Sequence, residues 1–317
     1  MYMLCNIKYF LRWGNFMIHY FNSIYIDHTI YSIDMVRLRL DFSSTERITN
    51  FGNFLSGINL LYVEQYPQSF KAFSYRNLFK ITCANNCSFV IGLSFNGSES
   101  SSRCIGFMEF NPNKVADQEE FKEVFAHLRM DCFTAEIVRW DLAVDVPLSR
   151  DLCILTKDKR KYTLVKNSES DKTEYLGCHN KAGFVKLYNK TIESELDYDC
   201  TRLEITVAWD MTYKEFLEIA PTVDVRGDQQ MLNPYNDLPD TDIVLYELLL
   251  KCDIAERQSY FNRLGRRKRE LLRKYVFSST YDSDKFIVPR SVYAQLKRQL
   301  REYSIGVDFS ILDSIDG

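Results

Sequence analysis

TEYLGCHNKAGFVKLYNKTIESELDYDCTRLEITV, residues 173–207, holds two segments that alternate as strands do. From Phe184 to Lys190 successive side chains take opposite faces, so Lys186, Tyr188 and Lys190 share one side while Val185 and Leu187 take the other. In the second segment Arg202, Glu204 and Thr206 alternate with Leu203, Ile205 and Val207. Further upstream Val138, Trp140, Leu142, Val144 and Val146 form an apolar face opposite Arg139, Asp141 and Asp145. Three strands with one apolar face each predict an α+β fold: a mainly antiparallel sheet, helix-covered on one face and polar on the other.

The flanking segments fit that scheme. Val36 to Phe42 alternates, and Ser43 or Ser44 can cap a helix carrying Ile48, Phe51, Phe54 and Leu55. Leu78–Cys83 and Ser88–Phe95 read as strands joined at Asn85-Asn86, and Cys104–Phe110 as a strand stopped by Asn111-Pro112-Asn113. Asp117 with Glu120, and Thr212 with Glu215, have the spacing of capping boxes. The first opens a helix striped with Phe121, Val124, Phe125 and Leu128.

Four regions follow. Residues 1–34 are a leader, expected to be disordered, marginally helical or ahead of the true start, since Met17 and Met35 are both available. Residues 35–223 form the sheet domain, 224–240 a linker rich in Asn, Pro, Asp and Gly, and 241–317 a small helical region. That last region carries the basic run Arg263, Arg266, Arg267, Lys268, Arg269, Arg273 and Lys274, relieved only by Glu270. So dense a run points to phosphate contact.

Lys+Arg 40 against Asp+Glu 43 gives a net charge of -3, so nucleic acid can be bound only through a local patch. Nine scattered cysteines suit a reducing cytoplasm, and only Cys83 and Cys87 are close together, which leaves no zinc-ligand pattern. No apolar run approaches the roughly 20 residues of a membrane span, so no membrane partner is expected.

A tyrosine among lysines and carboxylates suits phosphodiester transesterification. A phenol titrates near ~10, so its anion needs a cation or ammonium beside it before it attacks well at neutral pH. Carboxylates can hold a divalent ion for that purpose. Asp141 and Asp145 stand about 13 Å apart along one strand, too far for one ion. Asp141 and Glu204 are therefore the expected ligands, with Asp145 or Glu109 in support. His19, His28, His127 and His179 are isolated, so a carboxylate-held ion, Mg or Mn, is expected.

The runs Arg139-Trp140-Asp141-Leu142-Ala143-Val144-Asp145-Val146, Thr173-Glu174-Tyr175-Leu176-Gly177, Lys186-Leu187-Tyr188-Asn189-Lys190 with Glu193, and Thr201-Arg202-Leu203-Glu204-Ile205 resemble, in that order, the motifs of Rep_trans-type rolling-circle replication initiators. Phe110-Asn111-Pro112-Asn113-Lys114 resembles a segment preceding that block. The resemblance spans about Ile105 to Val207, with Cys178-His179 where small residues are common and Lys186 where Arg is frequent. It implies a metal-dependent nickase and strand transferase that acts on origin DNA, double- and single-stranded, through a phosphotyrosine at Tyr188. Tyr175 is the alternative nucleophile, Lys186 and Lys190 are catalytic cations, and Arg202 joins the basic run as a DNA contact. It further implies a homodimer working with a host helicase and DNA polymerase. A relaxase for mobile-element transfer and a non-catalytic copy-number regulator are the alternatives.

Overall fold

A computed structural model describes residues 23–26, 28–57, 63–65, 77–95, 104–166, 171–225, 238–252, 254–276 and 283–309. In chain order the elements are β1 (Ser23–Ile26), β2 (Thr29–Phe42), α1 (Thr45–Gly57), β3 (Val63–Gln65), β4 (Asn77–Thr82), β5 (Ser88–Phe95) and β6 (Cys104–Phe110). Then come α2 (Pro112–Val115), α3 (Glu119–Asp131), β7 (Cys132–Val146), β8 (Cys153–Leu155), β9 (Tyr162–Lys166), β10 (Lys172–Leu176), β11 (Val185–Asn189), α4 (Lys190–Glu193) and β12 (Thr201–Ala208). The chain continues with α5 (Tyr213–Ile219), β13 (Val223–Val225), α6 (Asp240–Lys251), α7 (Ile254–Arg263), α8 (Arg266–Val276) and α9 (Arg290–Leu300).

Among the described residues one antiparallel sheet runs β3-β4-β5-β6-β2-β7-β12-β11-β10-β9, with β1 paired to β2, and a two-stranded sheet joins β13 to β8. The three strands singled out from the sequence are thus consecutive neighbours. Their apolar faces, with Trp140, Leu142, Val144, Val185, Leu187, Leu203, Ile205 and Val207, are buried in one core with Ile48 and Phe51 of α1, Val124 and Leu128 of α3, Phe216 of α5 and Tyr293 and Leu296 of α9. The α+β class, the antiparallel sheet and its helix-covered face are as expected.

The long central strands depart from simple alternation at bulges. In β7 the pairing with β2 slips between Arg139 and Ile137, leaving Val138 extra and 39% exposed, so the apolar face continues through Ile137 and Ala135. One unpaired residue reverses the side-chain parity beyond it. Val138 is therefore not part of the core face. In β2 the same slip falls at Asp34, between Ile33 and Met35.

That strand also corrects the leader. β2 begins at Thr29, not Met35, and Ile30 to Ile33 pair with Asp145 to Leu142 of β7, so residues 29–34 are the start of a central strand. Residues 1–22, the rest of the leader, lie outside the described residues. The linker boundary also moves, because Asp224 and Val225 pair with Ile154 and Cys153; residues 226–237 lie outside the described residues.

The expected caps divide. Ser44 caps α1 (Arg47 N to Ser44 Oγ, 3.2 Å), and Thr212 with Glu215 forms the full capping box of α5. Asp117 with Glu120 does not: α3 begins after Gln118, and Glu120 instead accepts from Ala84 N at 3.0 Å.

The C-terminal region is two things. Helices α6 to α8 enclose a separate core of Leu238, Tyr246, Leu249, Phe261, Leu272, Tyr275 and Val276. Helix α9 returns to the sheet core, where Lys297 is 6% exposed and donates to Met211 O at 3.2 Å.

Candidate active site

The polar face of β7, β12 and β11 places side chains in rows, since residues directly opposed across an antiparallel pair point to the same side. Glu204 lies opposite Lys186 and Ala143, Arg202 opposite Tyr188 and Asp145, and Thr206 opposite Asp141. Tyr188 Oη donates to Glu204 Oε1 at 2.6 Å, and Lys186 Nζ donates to Glu204 Oε2 at 2.8 Å. Glu204 is only 4% exposed. One carboxylate thus holds both the phenol and the ammonium, so both Glu204 oxygens are committed and its expected role as a metal ligand beside Asp141 is not the one the fold gives it.

Burial, and after it the Glu204 charge, push the Tyr188 phenol well above its ordinary range, with Arg202 acting in the opposite sense. At rest the phenol keeps its proton, and that proton points at a carboxylate. Burial works against the Lys186 ammonium, but Glu204 outweighs it and leaves its pKa raised.

Asp141 lines the cleft beside this pair. Burial raises its carboxyl to about 6, opposed by a hydrogen bond from Thr206 and reinforced by the Glu204 charge. Its Oδ1 is buried and has no hydrogen-bond partner. A buried, unpartnered carboxylate oxygen is the donor chemistry that a hard divalent cation takes. Among the described residues no three His, Cys, Asp or Glu side chains stand together as a metal cage. The arrangement fits an Mg-type ion, which is usually bound through one or two carboxylates plus substrate phosphates and water.

The remaining expected residues are placed otherwise. Asp145 takes Arg202 Nε at 2.5 Å and Nη2 at 2.6 Å, so both its oxygens are committed and its expected supporting role at a metal is not the one the fold gives it. Arg202, 4% exposed, gives Nη1 to Asp34 Oδ1 at 2.9 Å. A buried arginine between two carboxylates is an internal clamp, which corrects its assignment as a DNA contact. Lys190 is the first residue of α4, 6% exposed and ion-paired to Glu193, so Lys186 is the lysine brought to the Tyr188–Glu204 pair. Glu109 receives Arg37 at 3.4 Å and Arg139 at 3.2 Å. Tyr175 lies opposite Lys186 and stacks on Phe184, ring centroids 5.9 Å apart.

Asp34 is the residue that sequence reasoning missed. The bulge in β2 turns its carboxylate toward Arg202 and Asn111, which donates from Nδ2 at 3.0 Å. Asn111 also caps α2, and Asn113 Nδ2 grips Ile33 O at 2.7 Å, so the Asn-Pro-Asn segment pins the bulge. Burial first, then the Glu204 charge, raise the Asp34 carboxyl. The available signal was the phase change from Tyr31 and Ile33 to Val36, Leu38 and Leu40, two apolar series out of step by one residue.

In the basic run Arg263, at the end of α7, and Arg266, Arg267 and Lys268, at the start of α8, are exposed. Arg266 pairs with Glu270 at 2.9 Å and Lys268 with Asp242 at 2.5 Å. Arg269 is half-buried, and the side chains of Arg273 and Lys274 fall outside the described residues.

No protein-family model and no curated protein matches the chain. Among solved structures, a rolling circle replication initiator protein from Geobacillus stearothermophilus aligns with 66% of this chain and 91% of its own, at 14% sequence identity and a TM-score of 0.36. Similarity at that level carries nothing about this chain's chemistry, which has to be read from the site. No described helix is long and apolar enough to cross a membrane.

Proposed function

We propose that this chain nicks one strand of an origin DNA and transfers it through a phosphotyrosine at Tyr188, starting rolling-circle replication of a plasmid or phage. The observation that carries this reading is the hydrogen bond from Tyr188 Oη to Glu204 Oε1, 2.6 Å, on a face that also presents Lys186 and the unpartnered Asp141 oxygen. A nucleophile whose proton already points at a base is the signature of activated covalent catalysis. The ordered motifs that resemble the replication initiators run through the same residues.

In this reading Tyr188 Oη attacks the scissile phosphorus and passes its proton to Glu204, while the bond to the 3′ oxygen breaks. Lys186 stays on the second Glu204 oxygen and lends positive charge as the phenolate forms. An Mg or Mn ion held on Asp141 would neutralise charge on the phosphate. Arg202, clamped by Asp145 and Asp34, fixes the strand register under Tyr188. The exposed arginines and lysine around α8 hold the duplex through phosphates. The freed 3′ hydroxyl serves a DNA polymerase, and a homodimer and a host helicase belong to the same proposal.

The test is incubation of the purified protein with supercoiled plasmid carrying its own gene and flanking DNA, in Mg or Mn. Wild type is expected to give nicked circles bearing covalent protein, and Tyr188→Phe none, with mass spectrometry of the adduct peptide locating the phosphate. An adduct on Tyr175 would move the nucleophile. Binding without cleavage by wild type would leave a regulator.

A further inference from the structure

Nicking takes a proton from Tyr188 and must give one to the oxygen that leaves phosphorus. Glu204 answers the first need. We propose that His179 answers the second, as the catalytic acid that protonates the departing 3′ oxygen in nicking and recovers that proton in rejoining. The proposal rests on the Tyr188 reading and concerns the opposite side of the same phosphate.

A cleft of about 130 Å³ is lined by Asp141, Lys186, Glu204 and His179, and Tyr188 is joined to it through its hydrogen bond to Glu204. In-line displacement places the attacking and leaving oxygens on opposite sides of phosphorus. Lys186 and Tyr188 grip the two oxygens of one carboxylate, so both belong to the attacking side. Of the other groups around the cleft, Arg139 is tied to Glu109 and Asn180 and, as a guanidinium, does not release a proton. Glu109 already accepts two arginines. Asp141 presents its oxygen as a cation ligand. His179 is the ring left to serve, and histidine is the side chain best suited to give and take a proton near neutrality.

Its position is built rather than incidental. The turn from Gly177 to Gly183 carries φ of 87° at Gly177, 67° at Asn180 and 80° at Gly183. Gly183 N donates to Thr206 O at 2.8 Å and Phe184 N to Lys181 O at 3.0 Å. Arg139 Nη1 holds Asn180 Oδ1 at 2.8 Å, next to the histidine. The imidazole stands edge-on to Phe184, centroids 5.3 Å apart and planes at 77°, while remaining exposed to the cleft.

The step balances. The Tyr188 Oη–P bond forms and the P–O3′ bond breaks; the phenol proton goes to Glu204 and the imidazolium proton to O3′. Neutral His179 and protonated Glu204 then exchange protons with solvent, or act in reverse when a second 3′ hydroxyl attacks the phosphotyrosine.

The experiment compares single-turnover adduct formation on an origin oligonucleotide and on the same oligonucleotide with sulfur replacing the scissile 3′ bridging oxygen. A thiolate leaves without protonation. His179→Gln is expected to slow the ordinary substrate by about 100-fold or more, the usual contribution of a general acid, and the sulfur substrate by only a few-fold. His179→Ala, with and without added imidazole, serves as the second variant, and added imidazole should restore rate on the oxygen substrate alone. Equal losses on both substrates, or no loss on either, overturn the assignment while leaving Tyr188 as nucleophile. Wild-type protein that forms no Tyr188 adduct on either substrate overturns both.

Discussion

Asp141 carries a cost that its proposed role explains. Its carboxyl is raised to about 6, mainly by burial, so the folded protein resists ionising it. A carboxyl raised in the folded state destabilises the fold above that pKa and stops doing so once pH falls below the unfolded value. In EDTA at neutral pH, Asp141→Asn should therefore be the more stable protein, by on the order of 2 kcal/mol. The advantage should shrink as pH falls through 6, as read by urea denaturation, and the same variant should lose nicking. Asp145 predicts the opposite sign. Removing it with Asp145→Ala leaves the Arg202 guanidinium buried with only Asp34, and unfolding should become easier by about 3–5 kcal/mol. The sequence already singles out Asp141, but it makes Asp145 the support and passes over Asp34, because only their partners in the fold separate them.

Strand β2 makes residues 29–34 part of the central sheet. Its Thr29–Asp34 portion fills one side of β7 opposite Leu142 to Asp145, and β1 pairs with the same portion. A truncated chain starting at Met35 would leave the backbone of β7 unpaired there and would lack Asp34, whereas one starting at Met17 keeps both. The Met35 form should show a lower melting temperature than the Met17 form and aggregate through that opened edge; thermal unfolding followed by light scattering compares them. Amphipathic stripes revealed α1 and α3 because each buries one face, and alternation revealed β5, β6, β11 and β12 because apolar residues line one face of each, even in β12 where the polar face is buried too. The bulges at Asp34 and Val138 escaped because a one-residue slip depends on the partner strand.

Across the whole molecule the basic run stands against a net charge of -3, so it is the local patch on which the proposed duplex contact depends. Arg266 and Arg267 are exposed and Arg269 is half-buried, none within the helical core. Replacing all three with alanine should leave stability near wild type. If each touches a phosphate, the slope of log affinity against log salt should fall by about 2–3, since each contact contributes roughly 0.9. Fluorescence anisotropy on origin duplex over a salt series measures it, and an unchanged slope would place the DNA elsewhere. Lys297 belongs to no such surface, since α9 folds back on the sheet and buries it.

By itself the sequence determined the class of fold and set Lys186 and Tyr188 on one face of β11 and Glu204 on one face of β12, because alternation is a local property that each strand carries alone; that these faces meet came from the tertiary structure. The tertiary structure decided which charges are free and which are spent: Arg202 locked between Asp145 and Asp34, Lys190 paired to Glu193, Glu109 held by two arginines and one Asp141 oxygen left without a partner. That division depends on residues up to 168 positions apart meeting across strands, as Asp34 and Arg202 do. Desolvation, which turns such a meeting into a fixed pair or an unmet need, exists only once the chain has closed around it.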